Sequence, residues 1–177
     1  YSLVVETDKN LLDYIQAAVV DHTLSFKYKN LKPTRLNFYV TVPSLEAITV
    51  MGAADVNSID TLKGSILDLN TSGAADVKLL LDYQKIKLVA SGAADIHLVG
   101  VSEILDAHAS GAADVKAAKL TVDSVFAKAS GASNLRVNAI KYLNKNVSGV
   151  ADVQLVNSRQ KLLTIKTRQN APLVRVY

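Results

Sequence analysis

From residue 43 onward, apolar and polar residues alternate along the chain, and a glycine interrupts the alternation at regular intervals. The fourth residue after each interruption is aliphatic, in the series Val56, Val77, Ile96, Val115, Leu135, Val153 and Val174. Alternation with a period of two is typical of β-strands, whereas an amphipathic helix repeats its apolar residues at spacings of three and four. The pattern therefore predicts two or three short strands in each repeat.

The interruptions belong to one phrase, Ser-Gly-Ala-Ala-Asp-Val, which recurs with small variations. Its glycines are 18 to 21 residues apart, and Asn170 takes the glycine position in a seventh, degenerate copy. A period this short and regular is typical of stacked repeats in which each unit contacts its neighbours. Together with the strand pattern it predicts an all-β chain, a parallel β-solenoid of about seven coils over residues 43–177, with residues 1–42 as an N-terminal β-rich cap of the same domain.

The phrase has a structural explanation at each position. Glycine suits a corner where φ is positive or where successive coils approach too closely for a side chain. We assign a structural turn role to Gly52, Gly73, Gly92, Gly111, Gly131 and Gly149, and to Asp55, Asp76, Asp95, Asp114 and Asp152. We expect these aspartates to accept hydrogen bonds from turn N–H groups and to face the Lys and Arg that stand two residues later. A ladder of divalent cations along the same column is the alternative.

Residues 1–42 follow a different pattern. Residues 2–7 read as a strand, residues 8–15 as a turn or short helix started by Asp8, residues 17–28 as a β-hairpin and residues 35–42 as another strand. Six of the ten aromatic residues lie in this quarter of the chain. We expect them to cover the open end of the solenoid, because a terminal coil exposes both core and strand edge. A surface that stacks on carbohydrate is the alternative.

Composition narrows the function classes. The 177 residues carry a net charge of +4, but Lys and Arg are dispersed and not interleaved with aromatics, which argues against nucleic-acid binding. The absence of cysteine excludes disulfides and thiol chemistry. No run of about 18 apolar residues is present to span a membrane. The chain begins at Tyr1 without a leader, so we expect either a removed signal peptide or a start inside a longer protein.

The inventory of reactive residues favours a protein that is not an enzyme and holds no cofactor or metal. The three histidines share no column, and five near-copies of one serine phrase are not a nucleophile motif. A carbohydrate-active β-helix enzyme, a polysaccharide lyase or hydrolase, is the alternative. Its site would lie around Asp82, Tyr83, Asp95, His97 and Asp114, although coils of 18 to 21 residues leave no room for the long loops of a catalytic groove.

Three stretches carry a resemblance to a known family. Residues 1–8 (YSLVVETD), 10–15 (NLLDYI) and 39–46 (YVTVPSLE), together with the serial Ser-Gly-Ala-Ala-Asp-Val phrases, resemble the family called putative auto-transporter adhesin, head GIN domain. The resemblance covers essentially the whole chain. It implies a right-handed β-solenoid in an exported or cell-envelope protein, with adhesion to a glycan or protein surface as the function by analogy and no catalytic residues.

Overall fold

A computed structural model describes residues 1–28, 34–156 and 163–166 of the chain, the last four as backbone. The Cα positions separate into two compact units, Tyr1–Pro43 and Ser44–Tyr177. The role of residues 1–42 as a cap of the second unit stays a prediction.

The first unit consists of two antiparallel strand pairs and one short 3₁₀ helix. Strand β1 (Ser2–Thr7) pairs with β4 (Leu36–Thr41), and β2 (Ile15–Val20) pairs with β3 (Thr23–Tyr28). The 3₁₀ helix spans Lys9–Tyr14. The predicted strands, hairpin and helical turn are confirmed, but the Asp8 side chain does not cap the helix and instead accepts a hydrogen bond from the Thr34 backbone N–H at 2.8 Å.

The second unit is a parallel β-solenoid. Its strands are β5 (Ala47–Gly52), β6 (Asp55–Asn57), β7 (Leu62–Gly73), β8 (Asp76–Gly92), β9 (Asp95–Ala109), β10 (Asp114–Ala129), β11 (Asn134–Val147), β12 (Asp152–Leu155) and β13 (Leu163–Lys166). Strands β5 and β7 to β12 follow one another in chain order across the sheet, β6 pairs with β8, and β13 pairs with β11. The all-β solenoid prediction is confirmed.

The register places equivalent residues of the repeated phrase directly beside each other. Asp76 pairs with Asp95, Asp95 with Asp114, Asp114 with Asn134, and Asn134 with Asp152. The solenoid has about six turns, so the predicted number of seven is corrected. The degenerate seventh phrase, residues 169–174, lies outside the described residues.

The core is a set of stacked aliphatic columns inside the coils. The column that follows the corner consists of Val77, Ile96, Val115, Leu135 and Val153, each at most 2% exposed. A second column before the corner consists of Leu67, Ile86, Leu105, Val125 and Leu143, which are buried to the same degree. Burying aliphatic side chains stabilises the fold by roughly 1.5 to 3 kcal/mol each, relative to leaving them exposed. Period-two alternation therefore located the inward positions correctly.

The strands are longer than the predicted short segments. Strand β8 covers 17 residues and continues through the second corner of its coil. The alternation slips there, since Tyr83 and Ile86 are both buried with two residues between them. Pairing with β7 and β9 resumes at Lys85, so the hydrogen-bonded ladder extends over both arms of the coil.

Candidate functional site on the outward faces of the solenoid

The glycines of the repeated phrase form a corner column with positive φ, at Gly52, Gly73, Gly92, Gly111, Gly131 and Gly149. Gly92 has φ +85°, and a Cβ built on it would lie 2.5 Å from the carbonyl oxygen of Gly73. The corner therefore requires glycine for two reasons, the left-handed backbone and the close approach of the preceding coil.

Hydrogen bonds between coils satisfy the backbone at the corner. The Ala93 N–H donates to the Gly73 carbonyl at 2.9 Å, and the Asp95 N–H donates to the Ala75 carbonyl at 2.9 Å. The same pattern recurs at the later corners. Within residues 1–28 and 34–156, no aspartate of the column accepts a turn N–H through its side chain. The expectation that these aspartates would accept turn N–H groups was wrong, because carbonyls of the preceding coil already occupy those donors.

The predicted pairing of acidic and basic columns is found around Lys116. Its Nζ lies 2.6 Å from Asp95 Oδ2 and 3.3 Å from Asp114 Oδ2, so one ammonium bridges two carboxylates of successive coils. The hydrogen bond to Asp95 is the main cause that raises the pKa of Lys116. His97 Nε2 lies 3.1 Å from Asp95 Oδ1 and 3.3 Å from the Lys116 ammonium. The ammonium therefore offsets the charge of one of the two carboxylates.

The cation ladder finds no support along this column. Asp152 accepts a hydrogen bond from the Gln154 amide at 2.8 Å, while Asp55 and Asp76 are exposed. In the described part of the chain, no three His, Cys, Asp or Glu side chains are grouped so that they could hold a metal ion.

The residues of the enzyme alternative are only partly brought together. Asp95, His97 and Asp114 meet at Lys116, but Asp82 stands six residues further along the coil than Asp76, roughly 20 Å at about 3.3 Å per residue. There it pairs with Lys63 at 3.5 Å. A solvent-open depression of about 370 Å³ lies beside His97, and Lys78, Leu80 and Val99 contribute to its lining.

Tyr83 lies inside the solenoid. It is 3% exposed, and its hydroxyl donates to the Leu45 carbonyl at 2.6 Å. Burial raises the pKa of this phenol. The ring occupies the space above Gly64, where an added Cβ would lie 2.6 Å from Tyr83 Cε1. This pair could not be found from the repeat pattern, because no other coil contains it.

The outward residues that precede the corner form a second surface, which we call the pre-glycine face. It consists of the residues one, three, five and seven positions before each corner glycine, and the coils present them in register. Phe126 and Tyr142 lie on this face with ring centroids 5.6 Å apart and planes inclined at 55°. The carbohydrate-stacking surface predicted as an alternative from the sequence lay in residues 1–42 and did not include these two rings. Each ring stands an odd number of residues before its corner glycine, as the other residues of this face do. This spacing was the signal that could have placed both rings on the outside.

Family comparison agrees with this architecture. Residues 1–158 match the family model described as putative auto-transporter adhesin, head GIN domain. The chain belongs to this family. The resemblance seen in the sequence is thereby confirmed, and the matched head GIN domain includes residues 1–42 and the coils as far as β12. No curated protein matches the chain. Among the described residues, no helix of this head GIN domain has the length and apolar character of a membrane span.

Solved structures share the fold. A crystal structure titled as a putative adhesin from Bacteroides fragilis NCTC 9343 is 26% identical, with a TM-score of 0.78 over 91% of this chain and 80% of that one. Putative adhesins from Parabacteroides distasonis ATCC 8503 (22% identity, TM-score 0.65) and Parabacteroides merdae ATCC 43184 (18%, 0.66) each match over 93% of this chain and 81% of theirs. The last two support the head GIN domain fold alone.

Proposed function

We propose that the chain is a non-enzymatic adhesion module, exported and displayed at the cell envelope, that binds through its outward sheet faces. The main support is the register of the coils, which holds equivalent outward positions in line on each arm: over β5 and β7 to β11 before the corner glycine, and over β6 and β8 to β12 after it. At about 4.8 Å per strand the six strands of each arm present a surface of roughly 24 Å. Membership of a family named for adhesion, with structural neighbours titled as adhesins, points the same way.

The contacts of Asp95 and Asp114 with Lys116 argue against a catalytic role for these carboxylates. A general acid or base needs a carboxyl group that can reach its substrate, and Lys116 contacts both Asp95 and Asp114. The depression beside His97 is open to solvent, whereas enzymes commonly exclude water from the reacting groups. These observations favour binding by a surface over chemistry in a groove.

Adhesion can be measured directly. Beads coated with the folded chain should adhere to cultured epithelial cells or to plates coated with extracellular-matrix glycoproteins, and beads coated with albumin should not. Adherence no greater than that of the albumin beads on every surface would contradict the proposal. So would turnover of a polysaccharide that is lost in both Asp95→Asn and His97→Ala.

The envelope location can be tested in the native organism. Antibody against the solenoid should label intact cells, and external protease should remove that signal while a cytoplasmic marker persists. Labelling that needs cells to be permeabilised would contradict display at the surface.

A further inference from the structure

The only two aromatic side chains that point outward among the described residues of the solenoid lie together on the pre-glycine face. We propose that Phe126 and Tyr142 are the centre of a binding site for an uncharged, extended oligosaccharide. This inference rests on the proposed adhesion function and names the class of ligand.

The aromatic pair is presented by two successive coils. Phe126 stands opposite Asn144 of the next coil, and Tyr142 stands opposite Ser124 of the coil before it. Phe126 remains 39% exposed although it contacts the tyrosine ring. An exposed aromatic surface held by a rigid sheet is a platform for the apolar C–H face of a sugar ring, and aromatic rings contribute large contact areas at low entropic cost.

Polar side chains surround this platform in the arrangement that sugar hydroxyls require. Asp106 lies opposite Phe126 on one side and Asn144 on the other, so a carboxylate and an amide flank the ring. Ser124 adds a hydroxyl beside Tyr142. Adjacent strands are about 4.8 Å apart, so these groups lie within one sugar width of the rings. A few oriented donors and acceptors around an apolar patch are what ligand specificity requires.

The charges of the face favour a neutral ligand. The face carries two aspartates and three lysines, which nearly balance: Asp68, Asp106, Lys85, Lys87 and Lys128. Lys87 pairs with Asp68 at 3.4 Å. A site for an acidic polysaccharide would instead concentrate uncompensated Lys and Arg.

The column seven residues before the glycine indicates an extended ligand. In order of coils it reads Ile66, Lys85, Ile104, Ser124 and Tyr142. Apolar side chains thus recur at every second coil, about 9.6 Å apart for a strand spacing of about 4.8 Å. An extended glycan whose alternate sugars present the same face would meet an apolar contact at each repeat. The column therefore predicts affinity that rises with oligosaccharide length across four coil spacings, about 19 Å.

The test uses the full chain and a set of neutral gluco-, manno- and galacto-oligosaccharides of two to six sugars. We expect binding by isothermal titration calorimetry to at least one series, with affinity that increases with length. Tyr142→Ala and Phe126→Ala should each weaken binding about tenfold or more, while Tyr142→Phe should retain most of it. Leu80→Ala is the matched control, since Leu80 is an exposed outward residue on the other face.

The outcomes separate this inference from the adhesion proposal. Circular dichroism must show that each variant keeps its fold, which we expect because both rings point away from the core. Failure of the native chain to bind any neutral oligosaccharide would overturn the inference, and bead adhesion that persists would leave the proposed function standing. Binding that survives both alanine variants, or that Leu80→Ala also abolishes, would overturn it as well.

Discussion

The glycine column allows the effect of coil stacking on stability to be separated from that of backbone conformation. Gly52 and Gly92 have almost the same φ, +81° and +85°. No atom lies within 4 Å of a Cβ built on Gly52, whereas a Cβ on Gly92 would lie 2.5 Å from the Gly73 carbonyl oxygen and 2.9 Å from its nitrogen. Alanine at the two positions therefore has the same conformational strain, but only at Gly92 does it also clash with the backbone of the preceding coil.

The magnitudes follow from these two contributions. The left-handed conformation destabilises the folded state by about 1 to 2 kcal/mol for an L-residue. Replacing glycine by alanine also lowers the entropy of the unfolded chain, which offsets about 0.4 to 1 kcal/mol of that loss. We expect Gly52→Ala to lower the free energy of unfolding by about 1 kcal/mol. Overpacking against rigid backbone adds about 1 to 3 kcal/mol. Gly92→Ala should therefore cost about 2 to 4 kcal/mol, and Gly92→Val more, because a β-branched side chain is less tolerant of this conformation.

Urea denaturation followed by far-UV circular dichroism measures both variants against the native chain. Thermal melts should agree, with a shift of about 2 to 4 °C for each kcal/mol in a chain of this size. Gly131→Ala is a replicate of the stacked case, since its Cβ would lie 2.8 Å from the Gly111 carbonyl oxygen. Equal losses for Gly52→Ala and Gly92→Ala would refute the view that the close approach of coils selects glycine here.

Three further predictions concern single side chains. Tyr83→Phe should lower the free energy of unfolding by about 1 to 2 kcal/mol, since it leaves the Leu45 carbonyl unpaired. Burial raises the pKa of Tyr83 above 10.0, so the native chain should also lose stability as the pH rises above that value. Between pH 9 and pH 11 the urea midpoint of the native chain should therefore fall more than that of Tyr83→Phe. Equal falls would contradict this. Lys116→Met should cost at most about 1 kcal/mol in low salt and less in 1 M salt, and a loss that does not depend on salt would show that the ammonium is not the cause. Hydrogen bonds from Asn37, Arg35 and Tyr39 lower the pKa of Glu6 from 4.5 to about 2, so its stabilising effect should be present above pH 4.5 and lost as the pH falls toward 2; an NMR titration of its carboxyl carbon with a midpoint near 4.5 would refute the cluster.

The repeated features of this fold were accessible from the sequence. Inward positions such as Val77 and Ile96 follow from period-two alternation, because a strand exposes alternate residues to the core. The corner at Gly92 follows from the spacing of the phrase. The inward positions and the corner both follow from a pattern within one coil that repeats along the chain, and this repetition is visible in the sequence.

Features that depend on contacts between particular coils could not be predicted in this way. Gly100 has φ +128° and faces the Leu81 backbone of the preceding coil, yet nothing in its local sequence marks it. The aspartate role was misjudged because turn rules consider one turn alone, whereas a stacked turn takes its hydrogen-bond acceptors from the coil before it. The register shifts of β10 against β11, between Ala117 and Thr121 and between Val122 and Ser124, are of the same kind, since no single coil specifies them.

The register of the coils has an evolutionary consequence. Each long strand of the described solenoid pairs with the coils immediately before and after it. If one internal coil were removed, its two neighbours could therefore pair with each other through equivalent strands. Excising residues 92–110 would join Ser91 to Gly111 and recreate the phrase at the junction. Unequal recombination between such phrases can therefore lengthen or shorten the solenoid by whole windings, and so change the length of its outward faces, without altering the packing of its interior.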